Sequence, residues 1–572
     1  MNMGSISSPQ DHPDDWAVKA ARKYAECQAL IPKSWRIPSE IMESLQAPLE
    51  ANPNDLITLD VVRRSGILSE RELDITEKHS VESLLNALAT GSFTSEEVTV
   101  AFSKRAALAQ QLTNCLTEMM FDDARIRARE LDALRESGKL AGPLHGLPIS
   151  IKDSFQVAGT QATLGLVAYL DRHSEKNSSL VEILLSLGAV LYVKTNIPQT
   201  MMTADSQNNV FRRTLNPRNT MLGAGGSSGG EGALIAFRGS PLGVGTDIAG
   251  SIRIPALCCG TYGFKPTANR VPYGGQQGCS TPGLKFIPAC AGPLANDFAA
   301  LEIFVKNVID ARPSKFDHTV IDVPWRVSSL EPKQKLRLGV LPESETYPLH
   351  PPIRAALLKA VRKLESQGHE LVRLDSSVCH VDNATEVAWG LFGLDNGADK
   401  VVSSSGEPVI PSRTRIATQI KRVNFDFVPT REGEDQLSRI AALNVKKAEI
   451  LDAWRMIWND NQLDAVIGPG AQNTAVEHDL YGVPPYTTLL NVLDYPACVI
   501  PFGKSDELSG ESLDFQPHQA GPPYNPTITK GMPCSVQVFT SSMRDEECLA
   551  ISKIVNTCLK EEQSSVWIRM KL

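Results

Sequence analysis

Residues 223–255 read GAGGSSGGEGALIAFRGSPLGVGTDIAGSIRIP, with a density of glycine and serine far above the chain average. Glycine lets a backbone take positive φ or approach another group closely. Such a segment can be a linker, an anion-binding loop or a catalytic loop. A solvated linker has no use for the apolar runs Ala233–Phe237 and Leu242–Gly245 that interrupt it. A phosphate loop would show Gly-x-x-x-x-Gly-Lys-Ser/Thr, or Gly-x-Gly-x-x-Gly after a strand, and neither is present. The third reading is covalent catalysis. Ser251 ends Thr246-Asp247-Ile248-Ala249-Gly250-Ser251, where small residues let successive backbone N–H groups face one point and hold a developing oxyanion. A serine hydroxyl is a poor nucleophile until a base takes its proton. No histidine lies near in sequence; Lys152 is available, in a setting rich in proline and glycine. Lysine acts as a base only where desolvation or a nearby cation lowers its pKa. A lysine at a strand end is otherwise a solvated charge, so residue type alone leaves its role open.

The elements that must position these groups alternate between helix and strand. After the turn-rich Gly142–Pro148, Ile149–Lys152 reads as a short strand. A helix over 179–187 stops at Gly188, a left-handed cap, and Ala189–Val193 reads as a buried strand. The alternation returns late: strand 336–341, helix 352–366, strand 370–374, helix 437–458, strand 463–467, the stretch 497–502 and a final helix at 544–561. Towards the start, helices are expected at 16–30, 80–89 and 95–110. Thr94 and Glu97 stand in capping-box spacing, and Val81, Leu84, Leu85 and Leu88 form a buried stripe. The pattern predicts an α/β fold in one large domain, with 310–335 the best candidate for a connection between two lobes.

The Gly225–Gly232 and Gly245–Arg253 stretches resemble the signature of the amidase signature family, a long and specific motif. Further matches run through Gly142–Asp153, Lys194–Gln199, Asn216–Asn219, Gly263–Thr267 and Gly292–Leu294, so the resemblance covers about 60–550. Ser65–Glu70 and Phe102–Cys115, and more weakly the surroundings of Lys421–Asn424, are similar to the acetamidase-type general amidases of filamentous fungi. The resemblance implies a single amidase-signature domain over 61–572, with its catalytic core at about 140–300, a mixed central sheet covered by helices on both faces, and an N-terminal helical extension over 1–60. It implies a Ser–cis-Ser–Lys triad: Ser251 as nucleophile, Lys152 as base, and Ser227, after a cis bond from Gly226, as the relay. The spacings agree with the family, 227 − 152 = 75 and 251 − 227 = 24. The N–H groups of Ile248, Ala249, Gly250 and Ser251 would form the oxyanion hole, and Met201 would line the acyl pocket. Ser228 would support Ser227 by hydrogen bonding, while Asp247 and Arg253 would brace the loop. Ala249 stands where the family usually has glycine. Ile254 stands where malonamidase-like relatives carry an acid-binding arginine, which argues against a carboxylate-bearing substrate.

The reaction so implied is hydrolysis of a carboxylic amide to acid and ammonia or amine through an acyl-enzyme, without cofactor or metal, on small aliphatic or aromatic primary amides. Two alternatives are the glutaminase subunit of a transfer-RNA amidotransferase and a catalytically silent interaction module. Composition bounds the partners. The 572 residues carry 57 Lys+Arg against 65 Asp+Glu, a net charge of −8, which leaves no positive field for a nucleic acid. No window approaches the roughly 20 apolar residues of a membrane span. The start, Met1–Asp15, has neither the basic flank nor the apolar run of a secretory signal. Met570-Lys571-Leu572 shares two positions with a peroxisomal address. Eleven scattered cysteines show no metal-ligand spacing or disulfide framework, so a reducing, cytoplasmic setting is expected. Relatives are often homodimers, so the resemblance leaves a homodimer open, and the sequence itself does not fix the oligomeric state.

Overall fold

Among the described residues, strand-forming residues fall in fifteen short runs. They are β1 (Leu116–Met119), β2 (Pro148–Lys152), β3 (Val190–Thr195), β4 (Gln207–Asn208), β5 (Arg212–Arg213), β6 (Leu215–Asn216), β7 (Asn219–Gly223), β8 (Leu242–Asp247), β9 (Tyr262–Lys265), β10 (Cys290–Ala295), β11 (Arg337–Val340), β12 (Glu370–Arg373), β13 (Ala465–Gly468), β14 (Ala497–Lys504) and β15 (Pro533–Phe539). The computed structural model describes residues 15–331, 334–423, 425–505 and 513–561. Eleven strands build one mixed sheet in the order β1-β3-β2-β8-β10-β9-β14-β15-β13-β11-β12; β4–β5 and β6–β7 are separate pairs. The β3–β2–β8 and β13–β11–β12 stretches run parallel, and the strands between them are antiparallel. Helices cover both faces of this sheet, the mixed α/β architecture expected.

Strands covered on both faces have no solvent side, so their residues are buried whatever their type. All residues of β2, β3 and β8 are buried, including Lys152, Lys194, Thr195 and Asp247. That placement turns the lysine at the end of β2 from a solvated charge into a desolvated one. The outer strand β1 is covered by the N-terminal helix Trp16–Ala29, through an ion pair from Lys23 to Glu118 (2.8 Å) and a bond from Cys27 Sγ to the Thr117 carbonyl (3.2 Å). Covering an edge strand in this way removes a template for unwanted pairing.

The expected elements are found within a few residues of the ranges read: helices Val81–Thr90, Ser95–Thr113, Ser179–Ser186, Pro351–Ser366, Gln436–Asn461 and Asp545–Lys560. The Thr94–Glu97 capping box is formed in both directions. Leu85 is only half-buried, whereas Val81, Leu84 and Leu88 are buried. The segment 310–335 holds one short 3-10 turn, Pro313–Lys315, before β11. The leader and tail readings, and Asn424, lie outside the described residues.

Candidate active site

The end of β2 delivers Lys152 into a site with no solvent access, at 0% exposure. Its Nζ lies 2.7 Å from the Ser227 Oγ and 2.7 Å from the Thr246 Oγ1. Burial pushes the amine down to about 7 from an ordinary 10.5, against the opposing pull of Asp247, Glu231 and Asp153. Near neutrality a large share of this lysine is therefore the free base. Ser227 follows a cis peptide bond from Gly226 and leads into the helix Gly229–Ala236. Ser228 does not bond the Ser227 hydroxyl as expected. Its N–H donates to the Ser251 carbonyl (3.2 Å), and its Oγ sits at the backbone N and O of Thr246 (3.3 and 3.4 Å). It thus ties the Ser227 turn to β8 and to the Ser251 loop.

Ser251 stands in the turn between β8 and the helix Arg253–Cys259, which is buried along its whole length. The loop is held from below by Asp247. This carboxylate accepts from the N–H of Gly250 (2.8 Å) and Ile252 (3.2 Å), from Asn491 Nδ2 (2.9 Å), and from Arg253 through Nε and Nη2 (3.0 Å each). Burial alone would raise its pKa, but the Arg253 guanidinium outweighs that and holds it down at about 2. Arg253 also reaches Gln537 (2.9 Å), the Thr487 carbonyl (2.9 Å) and Asn491 (2.7 Å). Gly250 takes φ +127°, where a Cβ would meet Thr487 Oγ1 at 2.2 Å, so only glycine fits. Its N–H is committed to Asp247, which departs from the expectation that it faces an oxyanion. Among the described residues, the N–H groups of Ile248, Ala249 and Ser251 have no such acceptor. Ala249 adds its methyl without closing the loop.

Beside Ser251 lies a narrow apolar cavity of about 20 Å³, lined by Met201, Met202, Ile248, Ala249, Ile254, Trp389, Ile416 and Pro484. The space is little more than one water molecule needs. Met201 is brought there by a backbone in the left-handed region at Thr200 and Met201 (φ 69° and 63°). Sequence reasoning missed Thr246, Glu231 and Trp389. Thr246 and Glu231 stand inside the glycine-rich motif and could have been tested there. Trp389 belongs to the helix Val381–Phe392, and an apolar wall residue carries no signature. Among the described residues no cluster of His, Cys, Asp or Glu could hold a metal ion, and no helix is long and apolar enough to cross a membrane.

A sequence model of the family described as Amidase matches residues 97–549. An amidase of Gibberella moniliformis is 36% identical over 551 residues, covering 96% of this chain and 99% of that protein. An acetamidase of Emericella nidulans is likewise 36% identical, with 96% and 99% covered. Among solved structures, a fatty acid amide hydrolase superposes with a TM-score of 0.84 at 30% identity, covering 96% of this chain and 95% of its own. Fold and relatives together define an amide-hydrolysing enzyme. The chain belongs to the amidase family.

Proposed function

We propose that this enzyme hydrolyses small primary carboxylic amides through an acyl-enzyme on Ser251. The observation that carries the reading is the 2.7 Å contact between a fully buried lysine amine and the Ser227 hydroxyl. Ser251 Oγ attacks the amide carbon while its proton passes to Ser227, whose own proton goes to the Lys152 amine. The carbonyl oxygen becomes an oxyanion facing the N–H groups of Ile248, Ala249 and Ser251, where preorganised donors stabilise the charge. Collapse breaks the C–N bond, and the proton returns through Ser227 to the leaving nitrogen. Water then attacks the ester by the same relay, releasing acid and freeing Ser251. Ile254 and Trp389 make the acyl side apolar and short, which favours a small aliphatic acyl group and disfavours a second carboxylate. Among the described residues no disulfide joins the cysteines, which supports a reducing, cytoplasmic setting. The homodimer belongs to the same reading, and light scattering on the purified enzyme tests it.

The central test is Ser251→Ala. Ammonia release from small amides should fall by on the order of 10³-fold or more, with circular dichroism unchanged. A fluorophosphonate probe should label the parent enzyme at Ser251 and leave the variant unlabelled. Retained turnover in Ser251→Ala would overturn the assignment.

A further inference from the structure

Around Lys152 stand three buried carboxyl groups, and two are already matched to other cations. Asp247 is bound to Arg253. Asp153 accepts from Thr163 and Leu164 and acts on the buried Lys194. Glu231, on the helix that follows Ser227, is different: it is completely buried, and among the described residues Lys152 is the cation whose charge acts on it. Its Oε2 accepts from the Ser150 hydroxyl (2.6 Å) and its Oε1 from the Thr195 hydroxyl (2.9 Å). Ser150 lies two residues before Lys152 on β2, and thus on the same face of the sheet. Thr195 is the cross-strand neighbour of Lys152. The carboxyl can lie on the sheet there because Gly243, paired with Ser150, has no side chain; a Cβ at Gly243 would stand 2.0 Å from Glu231 Oε2. The other titratable groups on which Glu231 acts, Cys115 and Tyr192, are pushed up by burial, the thiol to about 12.

From this arrangement we infer that Glu231 is a positioning residue for the reaction, the counter-charge against which the Lys152 amine takes up and gives back its proton. The inference rests on the triad reading above and adds to it a fourth member that never touches the substrate. Desolvation alone would make Lys152 too weak a base, and a lone ammonium would be costly in a pocket without water. A carboxyl beside it, held by two hydroxyls, counters both effects. Burial pushes the Glu231 carboxyl up and the Lys152 amine down, so the pair can hold one proton between them, on the amine facing an ionised carboxyl or on the carboxyl beside a neutral amine.

Glu231→Gln keeps the size of the side chain and removes its charge. The acid limb of kcat/KM should move to lower pH by about one unit, and kcat at the plateau should fall. A merely structural role would reduce activity and leave the limb in place; an unmoved limb in folded enzyme overturns the inference. Should Glu231→Gln not fold, Thr195→Val removes one hydroxyl that favours the ionised carboxyl and should shift the limb in the same direction, with an unmoved limb again decisive. Failure of the triad reading is distinguishable, because Ser251→Ala would then keep its turnover. In that event the dependence of Tm on pH, compared between Glu231→Gln and the parent, still decides whether the pair titrates together: a changed profile supports it and an identical one overturns it.

Discussion

As the proposed base, Lys152 combines two demands that oppose each other. A base must be neutral to accept a proton, and the burial that keeps it neutral reduces stability wherever the unfolded chain would hold the amine charged. With its pKa at about 7 in the folded state against an ordinary 10.5, kcat/KM should rise with pH through about 7 and then level off. The sign for stability follows from proton counting. Between those two values the unfolded chain binds more protons than the native one, so this residue makes the fold more stable as pH rises across that window. Below about 7 its destabilising effect is fully present. Lys152→Met should therefore reduce ammonia release to background while raising Tm at pH 7 by about 2 °C or more, read by calorimetry. A variant less stable than its parent at that pH would contradict the account of the amine as a desolvated free base.

The turn between β8 and the helix Arg253–Cys259 carries Ser251, the proposed nucleophile, and it is braced by the buried ion pair of Asp247 and Arg253. Asp247→Asn would leave the Arg253 guanidinium in the core without its charge partner, a loss of about 3–5 kcal/mol measurable by chemical denaturation. Because Gly250 is fixed by the same carboxylate, kcat should fall more than KM rises. This element was only partly legible in the sequence. Ser251, Asp247 and Arg253 stand in a motif whose spacing identifies them, but β8 was not read as a strand. Gly243 and Gly245 are poor strand formers, and their value appears only when Glu231 and the Ser228 turn are seen resting on them. The helix Ser95–Thr113 was legible because its cap is local, two side chains three residues apart. Strand pairing is not local, so no short window could reveal that Thr195 is the neighbour of Lys152.

At the scale of the whole molecule, the cavity beside Ser251, the proposed acyl site, is a seam between distant parts of the chain. Met201 and Ile254 come from the glycine-rich half, Trp389 and Ile416 from helices far down the chain, where the sequence offered at most a weak resemblance around Lys421–Asn424. Trp389→Ala should open that wall: activity on longer acyl amides should rise by about tenfold relative to acetamide, measured as ammonia release across amides of increasing length. An unchanged preference would show that the wall lies elsewhere. The same long reach governs when the enzyme can first work. Arg253 is held by Asn491 and Gln537, so the loop that carries Ser251, the proposed nucleophile, is fully braced only when the chain extends through both. On the proposed mechanism a chain that stops ahead of Gln537 leaves Arg253 short of a partner and should release no ammonia however complete its signature motif.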